Sequence, residues 1–301
     1  MSIFVELPPD DYSETAFVDF TAAASFDPGT ARALMWASQL AYETHQQATI
    51  DAVRQKWRFP SILPFHVTAR ALGTDVDTRG IIAKRADVTI VAFAGTDPAV
   101  LANVITDVEV IPEPGTDIHG GFSKALDAIW PSVSMIIAQS VQPVMFAGHS
   151  LGAALAVLGA MRFVESGGAL LAVYTYGLPR VGGARFIAAY NGRLGLTTYR
   201  FVHGNDIVPT VPMSALGFRH VGRMMQCASG GSFMDAALSG LGSDEPNFSV
   251  GLRQGIATEF GKLLRGELGP AGPGRIGKLL EFLPAQIRDH LPDRYIAALA
   301  P

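Results

Sequence analysis

Val144–Ala156 reads VMFAGHSLGAALA, and this stretch decides the interpretation of the rest of the chain. The apolar run after Pro143 predicts a buried strand, and the Ala/Leu-rich run that follows predicts a helix. Between them, Gly148–Gly152 matches G-x-S-x-G, in which a serine occupies a sharp turn from strand to helix. Glycine is needed on both sides because such a turn brings backbone segments close together. The stretch therefore predicts that Ser150 is a nucleophile beside the amides of a helix N-terminus.

Composition limits the function classes that the chain can belong to. Its 301 residues suffice for one large α/β domain, and we expect a single domain over residues 1–301. Only 17% of the residues are charged and 49% are hydrophobic, which favours contact with an apolar substrate or, transiently, a lipid interface. A net charge of −4 without a basic cluster argues against a nucleic-acid partner. The single cysteine, Cys227, excludes an internal disulfide.

Two segments bear on localisation. Residues 1–11 lack the basic and apolar regions of a Sec-type signal peptide. Residues 128–161 carry no charged side chain, but Pro131, Pro143 and the Gly148–Gly152 turn interrupt them, so a strand between two helices explains them better than a transmembrane segment. We expect a soluble chain, cytoplasmic or exported without a Sec-type signal peptide. The sequence indicates no oligomeric state.

Known metal and nucleotide motifs are missing from the sequence. There is no H-E-x-x-H, no Cys/His pairing, no EF-hand loop, no P-loop and no G-x-G-x-x-G after a strand. We therefore expect neither a metal ion nor a cofactor.

Strand-like and helix-like segments alternate along most of the chain, which predicts a mostly parallel central sheet with helices on both faces. Together with the serine turn, this pattern is typical of the α/β-hydrolase fold. The expected helices cover Asp27–Trp57, Gly121–Gln139, Leu151–Glu165 and Ala184–Asn191. The other expected strands cover Phe65–Leu72, Gly80–Lys84, Val88–Ala94, Ala169–Tyr176 and Thr197–His203.

A serine hydroxyl becomes a nucleophile only when a base removes its proton, and a carboxylate must orient that base. In α/β-hydrolases the chain order is serine, acid, histidine. Asp206 directly follows an expected strand, where the acid belongs. Two histidines, His220 and His290, lie well beyond it, so chain order alone leaves both open as the base.

Four segments in this order resemble the class 3 (fungal-type) triacylglycerol lipases. They are Ile118–Phe122 (IHGGF), Gly148–Ala154 (GHSLGAA), Tyr176–Gly182 (YGLPRVG) and Arg200–Pro209 (RFVHGNDIVP). The similarity covers roughly residues 31–226 and resumes around residues 286–296.

The resemblance also implies roles for individual residues. Asp206, before Ile-Val-Pro, matches the family's triad acid, and His290, in an Asp-His pair shortly before Tyr295, matches the family's base. His220 lies in a Phe-x-His-x-Gly segment, which in the family does not carry the base. The alternation of Phe218, His220 and Gly222 also indicates a strand position, where a histidine is often structural. Both arguments favour His290.

The oxyanion of the tetrahedral intermediate needs two fixed donors. The backbone N–H of Leu151, the residue after the nucleophile, is the first. The loop Phe93–Asp97 ends an earlier strand and is expected to supply the second. The resemblance implies that Thr96 is this donor. Ala94 stands where the family usually has arginine, so the ion pair that braces this loop is expected to be absent.

Two further segments are candidates for covering the active site. Residues 97–108 begin with Asp-Pro and place apolar side chains at helical spacing, which resembles the family's lid and predicts a short amphipathic helix beside the oxyanion loop. Residues 223–284 are longer than the fungal relatives suggest and are partly rich in Gly, Ser and Pro. We expect an irregular or cap insertion there.

These features together predict a serine hydrolase, a triacylglycerol lipase or esterase, that cleaves carboxylic esters of lipids through an acyl-enzyme on Ser150. The alternatives are a phospholipase or short-chain esterase, acyl transfer to an alcohol instead of water, and a non-catalytic hydrolase-like lipid-binding protein. The set of Ser150, Asp206 and His290 argues against the last of these.

Overall fold

The computed structural model describes residues 6–96, 112–228, 231–239, 254–256 and 284–301. Within this part, eight strands form one sheet in chain order. The strands are β1 (Ser61–Ala71), β2 (Thr74–Lys84), β3 (Thr89–Phe93), β4 (Val144–His149), β5 (Leu170–Tyr176), β6 (Thr198–His203), β7 (Arg223–Cys227) and β8 (Met234–Asp235). Neighbours from β3 to β7 are parallel, whereas β1, β2 and β8 pair antiparallel. The expected mostly parallel sheet is confirmed.

Helices cover both faces of the sheet. They are α1 (Pro28–Leu40), α2 (Gln47–Lys56), α3 (Gly120–Ile137), α4 (Leu151–Glu165), α5 (Ala184–Leu194), α6 (Ala236–Ser239), α7 (Ala285–Arg288) and α8 (Pro292–Ala298). Side chains of β4 alternate between the two apolar layers: Met145 packs with α1, α2 and α8, and Phe146 packs with α3, α4 and α5. None of the described helices is both long and apolar enough to cross a membrane.

The first expected helix is broken into two. It begins as predicted, because Asp27 accepts a hydrogen bond from the Thr30 amide at 2.6 Å and Pro28 occupies the first position. Continuity through Trp57 is wrong: α1 ends at Leu40, and a 3₁₀ turn over Ala41–Glu43 precedes α2. Both Tyr42 and Glu43 are buried in this turn, where their polar groups bond to distant segments. Such tertiary contacts outweigh local helical periodicity.

The expectation of an irregular insertion over residues 223–284 is wrong at its start. Residues Arg223–Cys227 form β7, which pairs in parallel with β6, and β8 follows antiparallel. The strand expected around His220 is also wrong, since β7 begins only at Arg223 and His220 lies in the loop before it. Residues 240–253 and 257–283, and the lid candidate 97–108, lie outside the described residues.

Candidate active site

Ser150 lies between the end of β4 and the start of α4, at the C-terminal edge of the parallel strands. Its backbone has φ 60° and ψ −127°, a conformation that side-chain-bearing residues rarely adopt. Strain of this kind costs on the order of 1–3 kcal/mol and persists only where surrounding structure enforces it. The Ser150 amide donates a hydrogen bond to the Tyr176 carbonyl oxygen at 2.9 Å, which ties the turn to the neighbouring strand.

The two glycines of the turn are required by close backbone contacts. A Cβ on Gly148 would overlap the carbonyl oxygen of Gly152, and a Cβ on Gly152 would overlap the carbonyl oxygens of Phe93 and Ala94. Helix α4 therefore packs directly on the ends of β3 and β4. The G-x-S-x-G spacing is thus a steric requirement of this strand-to-helix turn.

Asp206 and His290 form a buried pair beyond the end of β6. The His290 Nδ1 atom lies 2.8 Å from Asp206 Oδ2 and 3.0 Å from Oδ1, and the two side chains are 2% and 0% exposed. Asp206 Oδ1 also accepts the Val208 amide at 2.8 Å. Because Nδ1–H donates to the carboxylate, Nε2 of a neutral His290 carries the free lone pair. Within the described residues, Nε2 has no hydrogen-bond partner.

Gly177 brings this pair next to the serine turn. It follows Tyr176, the residue whose carbonyl binds the Ser150 amide. A Cβ on Gly177 would lie 2.8 Å from His290 Cε1 and 2.9 Å from Asp206 Oδ2, so only a glycine permits this approach. The structure therefore brings Ser150, Asp206 and His290 together at one edge of the sheet, although they are far apart in sequence.

Tyr295 is a polar neighbour of the pair that the sequence analysis named only as part of a pattern. Its hydroxyl donates to Asp206 Oδ2 at 2.6 Å and accepts the His203 amide at 3.2 Å. Burial and the Asp206 carboxylate raise the pKa of Tyr295, so its hydroxyl stays a neutral donor. The only sequence signal for this contact was a tyrosine five residues after His290.

The proposed oxyanion residues lie on two sides of the serine. Leu151 is the first residue of α4, where backbone amides have no acceptor within the helix. On the other side, a Cβ on Gly95 would lie 2.8 Å from Ser150 Cβ, so the Gly95–Thr96 backbone passes directly beside the nucleophile. Thr96 is 8% exposed. The N-terminus of α4 and the loop after β3 therefore both lie beside Ser150, and the oxyanion roles of Leu151 and Thr96 stay predictions.

His220, the alternative base, has a different partner. Its Nε2 atom lies 2.8 Å from the Pro209 carbonyl oxygen, and its side chain is half-buried. The Asp206 carboxylate instead bonds to His290, Tyr295 and the Val208 amide. In the described part of the chain, no group of three or more His, Cys, Asp or Glu side chains is placed to hold a metal ion.

Comparisons with known proteins find similar lipases. The family model for class 3 lipases matches residues 90–215. A lipase of Rhizopus niveus is 30% identical over 190 residues, which are 58% of this chain and 48% of the relative. A secreted mono- and diacylglycerol lipase of Malassezia globosa is 36% identical over 112 residues, 35% of this chain and 37% of the relative. The chain spans about half the length, or less, of these curated relatives.

A solved triacylglycerol lipase structure superposes with a TM-score of 0.55 at 23% identity, over 73% of this chain and 91% of that one. At this identity the match shows a shared fold. The sequence matches agree with the resemblance stated from the motifs: the chain is similar to class 3 lipases over residues 90–215 and shares the fold of a triacylglycerol lipase.

Proposed function

We propose that this protein is a serine hydrolase that cleaves carboxylic esters of lipids. The observation that carries the proposal is the buried Asp206–His290 pair packed against Gly177, next to a serine held at positive φ. A buried carboxylate is costly to maintain, and its position beside Ser150 gives the Asp206–His290 pair a use.

In the proposed mechanism, His290 Nε2 accepts the proton of Ser150 Oγ as Oγ forms a bond to the ester carbonyl carbon. The carbonyl oxygen becomes an oxyanion, which the Leu151 amide and Thr96 stabilise. The tetrahedral intermediate then loses the alcohol, which takes the proton from His290. Water attacks the acyl-enzyme in the same way, with its proton passing to His290 and then back to Ser150.

Asp206 keeps the His290 imidazole in the tautomer that these reaction steps need. Its carboxylate accepts the Nδ1 proton, so Nε2 faces the nucleophile as an acceptor and the imidazolium that forms is stabilised. The Tyr295 hydroxyl and the Val208 amide hold the carboxylate in turn. We propose that residues 1–301 form one α/β-hydrolase unit and that the reaction uses no metal or cofactor.

The relatives support a lipid ester as the substrate class. Curated relatives are named lipases and secreted mono- and diacylglycerol lipases, and the triacylglycerol lipase that shares the fold is described as having a serine protease triad as its catalytic centre. The family match includes Thr96, Ser150 and Asp206. His290 lies beyond it and is supported by its contacts with Asp206.

A fluorophosphonate probe tests the proposal directly, because it reacts covalently only with an activated serine. We expect the wild-type protein to be labelled and to hydrolyse p-nitrophenyl esters, with rates compared across short and long acyl chains. Ser150→Ala should abolish both labelling and turnover while circular dichroism and thermal unfolding stay unchanged. Folded wild-type protein that resists the probe would instead support a lipid-binding protein without catalysis.

A further inference from the structure

His149 is buried in the serine turn at 2% exposure, yet the mechanism above gives it no role. Its Nδ1 atom lies 2.7 Å from the Tyr42 hydroxyl, and its Nε2 atom lies 2.8 Å from the backbone carbonyl oxygen of His290. The His149 and His290 rings also face each other, with 4.7 Å between their centroids. One side chain therefore connects the backbone of the proposed base to a tyrosine from the α1–α2 junction.

The direction of each hydrogen bond that connects His290, His149, Tyr42 and Gly95 follows from which atoms can carry a proton. A carbonyl oxygen can only accept, so His149 must carry its proton on Nε2 and donate it to His290. His149 Nδ1 is then an acceptor, and the Tyr42 hydroxyl donates to it. The Tyr42 oxygen in turn receives a hydrogen bond from the Gly95 backbone. Burial lowers the pKa of His149, so its imidazole stays neutral, and the carbonyl acceptor on His290 selects the Nε2–H tautomer.

Tyr42 is itself fixed from a second side. The Arg79 guanidinium donates to the Tyr42 carbonyl oxygen at 3.1 Å and lies 5.9 Å from the centre of its ring. The Arg79 carbonyl oxygen accepts the Ala94 amide at 2.9 Å. The Arg79 backbone thus binds the residue that stands where the family has its loop arginine. The Arg79 side chain holds Tyr42, and Tyr42 accepts a hydrogen bond from Gly95, so hydrogen bonds connect β2 to this loop.

We propose that Tyr42 and His149 are positioning residues that hold the oxyanion loop at Gly95–Thr96 and the base His290 in fixed relative positions. This inference rests on the proposed function, because it assigns a purpose to geometry around the same serine. Neither side chain is proposed to touch the substrate. Misplacing a catalytic group by about an ångström can lower the reaction rate about a hundredfold. Breaking a rigid link between the loop and His290 should therefore lower the rate measurably.

Tyr42→Phe removes the hydroxyl and keeps the ring. We expect kcat for a p-nitrophenyl ester to fall about tenfold, as the loss of one hydrogen bond of typical net strength predicts. The KM should change by less than about twofold, because substrate binding does not use this group. The control is Tyr190→Phe, which removes an equally buried hydroxyl bonded to Thr198 at 2.9 Å in a different part of the fold. It should lower the melting temperature and leave kcat unchanged.

Two substitutions of His149 separate its two contacts. His149→Asn places an oxygen near the position of Nδ1, so it can still accept from Tyr42 and loses the contact with His290. His149→Gln places an amide nitrogen near the position of Nε2, so it keeps the contact with His290 and loses Tyr42. We expect both variants to lower kcat, and adding Tyr42→Phe to His149→Gln should cause no further loss because the link is already broken.

Nuclear magnetic resonance of ¹⁵N-histidine-labelled protein tests the link without relying on turnover. The wild-type spectrum should show His149 as the neutral Nε2–H tautomer, and Tyr42→Phe should shift the ring resonances of both His149 and His290. Tyr190→Phe should shift neither. A wild-type His149 that carries its proton on Nδ1, or unchanged His290 resonances in Tyr42→Phe, would overturn the inference.

The two proposals fail in distinguishable ways. An active wild type whose kcat falls no more in Tyr42→Phe than in Tyr190→Phe would overturn the positioning role and leave the hydrolase intact. A wild type that resists the fluorophosphonate probe would overturn the proposed hydrolase function. If the expected histidine shifts still appear, the hydrogen bonds between Tyr42, His149 and His290 exist but have no catalytic role.

Discussion

Hydrogen-bond partners separate the two histidines that follow Asp206 along the chain. His290 donates from Nδ1 to the Asp206 carboxylate, whereas His220 contacts the carbonyl oxygen of Pro209. A carboxylate stabilises an imidazolium, so the bond to Asp206 gives His290 the partner that a general base needs.

We therefore expect His290→Ala to lower kcat by at least about 10³-fold, as removal of a triad member does in other serine hydrolases. His220→Ala should keep kcat within about threefold of the wild type, with its effect limited to stability. Initial rates on a p-nitrophenyl ester, with thermal unfolding of each variant, check this. The reverse pattern would reassign the base to His220.

Individual site residues could be predicted from the sequence where the local chain conformation limits which residue can occupy a position. Ser150 follows from a turn that only glycine neighbours allow, and Asp206 from its place after a strand. Chain order left the base open between His220 and His290, because it contains no distances. Of the two arguments that then favoured His290, the strand position of His220 is wrong and the resemblance remains. The contact of Tyr42 with His149 joins residues 107 positions apart, and no local sequence pattern predicts it.

At the scale of elements, the turn between β4 and α4 depends on two glycines that have no room for a side chain. Helix α5 contains a contrasting glycine: a Cβ on Gly192 would meet nothing within 4 Å. The two positions form a matched pair, since the same substitution adds one methyl group to a helical glycine in each case.

Gly152→Ala should destabilise the protein by several kcal/mol or prevent folding, because the methyl group would overlap two backbone carbonyl oxygens. Gly192→Ala should stabilise it by about 0.5–1 kcal/mol, since alanine is the better helix former. Denaturant unfolding of both variants measures the difference. A Gly152→Ala protein as stable and active as the wild type would contradict the steric account of the turn.

Elements with strong periodicity were predictable, and those fixed by distant partners were not. Leu151–Glu165 forms a helix with the expected bounds because its alanine and leucine residues favour a helix and can be buried on every face of it. Strand β7 escaped prediction because RMMQC is short, mixes polar with apolar residues, and is defined by its pairing with β6. The break after Leu40 escaped for the same reason: the buried partners of Tyr42 and Glu43 come from elsewhere in the fold.

At the scale of the whole molecule, Glu43 ties the N-terminal segment to the rest of the fold. The side chain is fully buried and its carboxylate accepts the Leu7 amide at 2.6 Å and the Tyr12 hydroxyl at 3.1 Å. Burial raises the pKa of Glu43 from 4.5 to about 7. Below pH 4.5 the group is protonated in both the folded and the unfolded states. Between pH 4.5 and about 7 only the unfolded state ionises, so stability is lost as the pH rises.

Glu43→Gln should abolish this loss while keeping an acceptor oxygen. The free energy of unfolding of the variant minus that of the wild type should rise between pH 4.5 and about 7 and be constant above. Burial lowers the pKa of His119 to about 4, so this residue makes the protein more stable as the pH rises. The effect is the same in both proteins and cancels in the difference. Urea unfolding at several pH values measures the difference. A difference that does not vary with pH would show that Glu43 ionises normally in the folded protein.

The position of His290 in the chain has a consequence for biosynthesis. During translation the ribosome completes strands β1 to β8, Ser150 and Asp206 before it reaches this histidine, which follows Asp206 by 84 residues. At typical elongation rates that interval lasts on the order of ten seconds. Under the proposed mechanism, a nascent chain in this interval carries Ser150 without its proton acceptor, so it should not act on nearby lipids until the segment around His290 has emerged and docked.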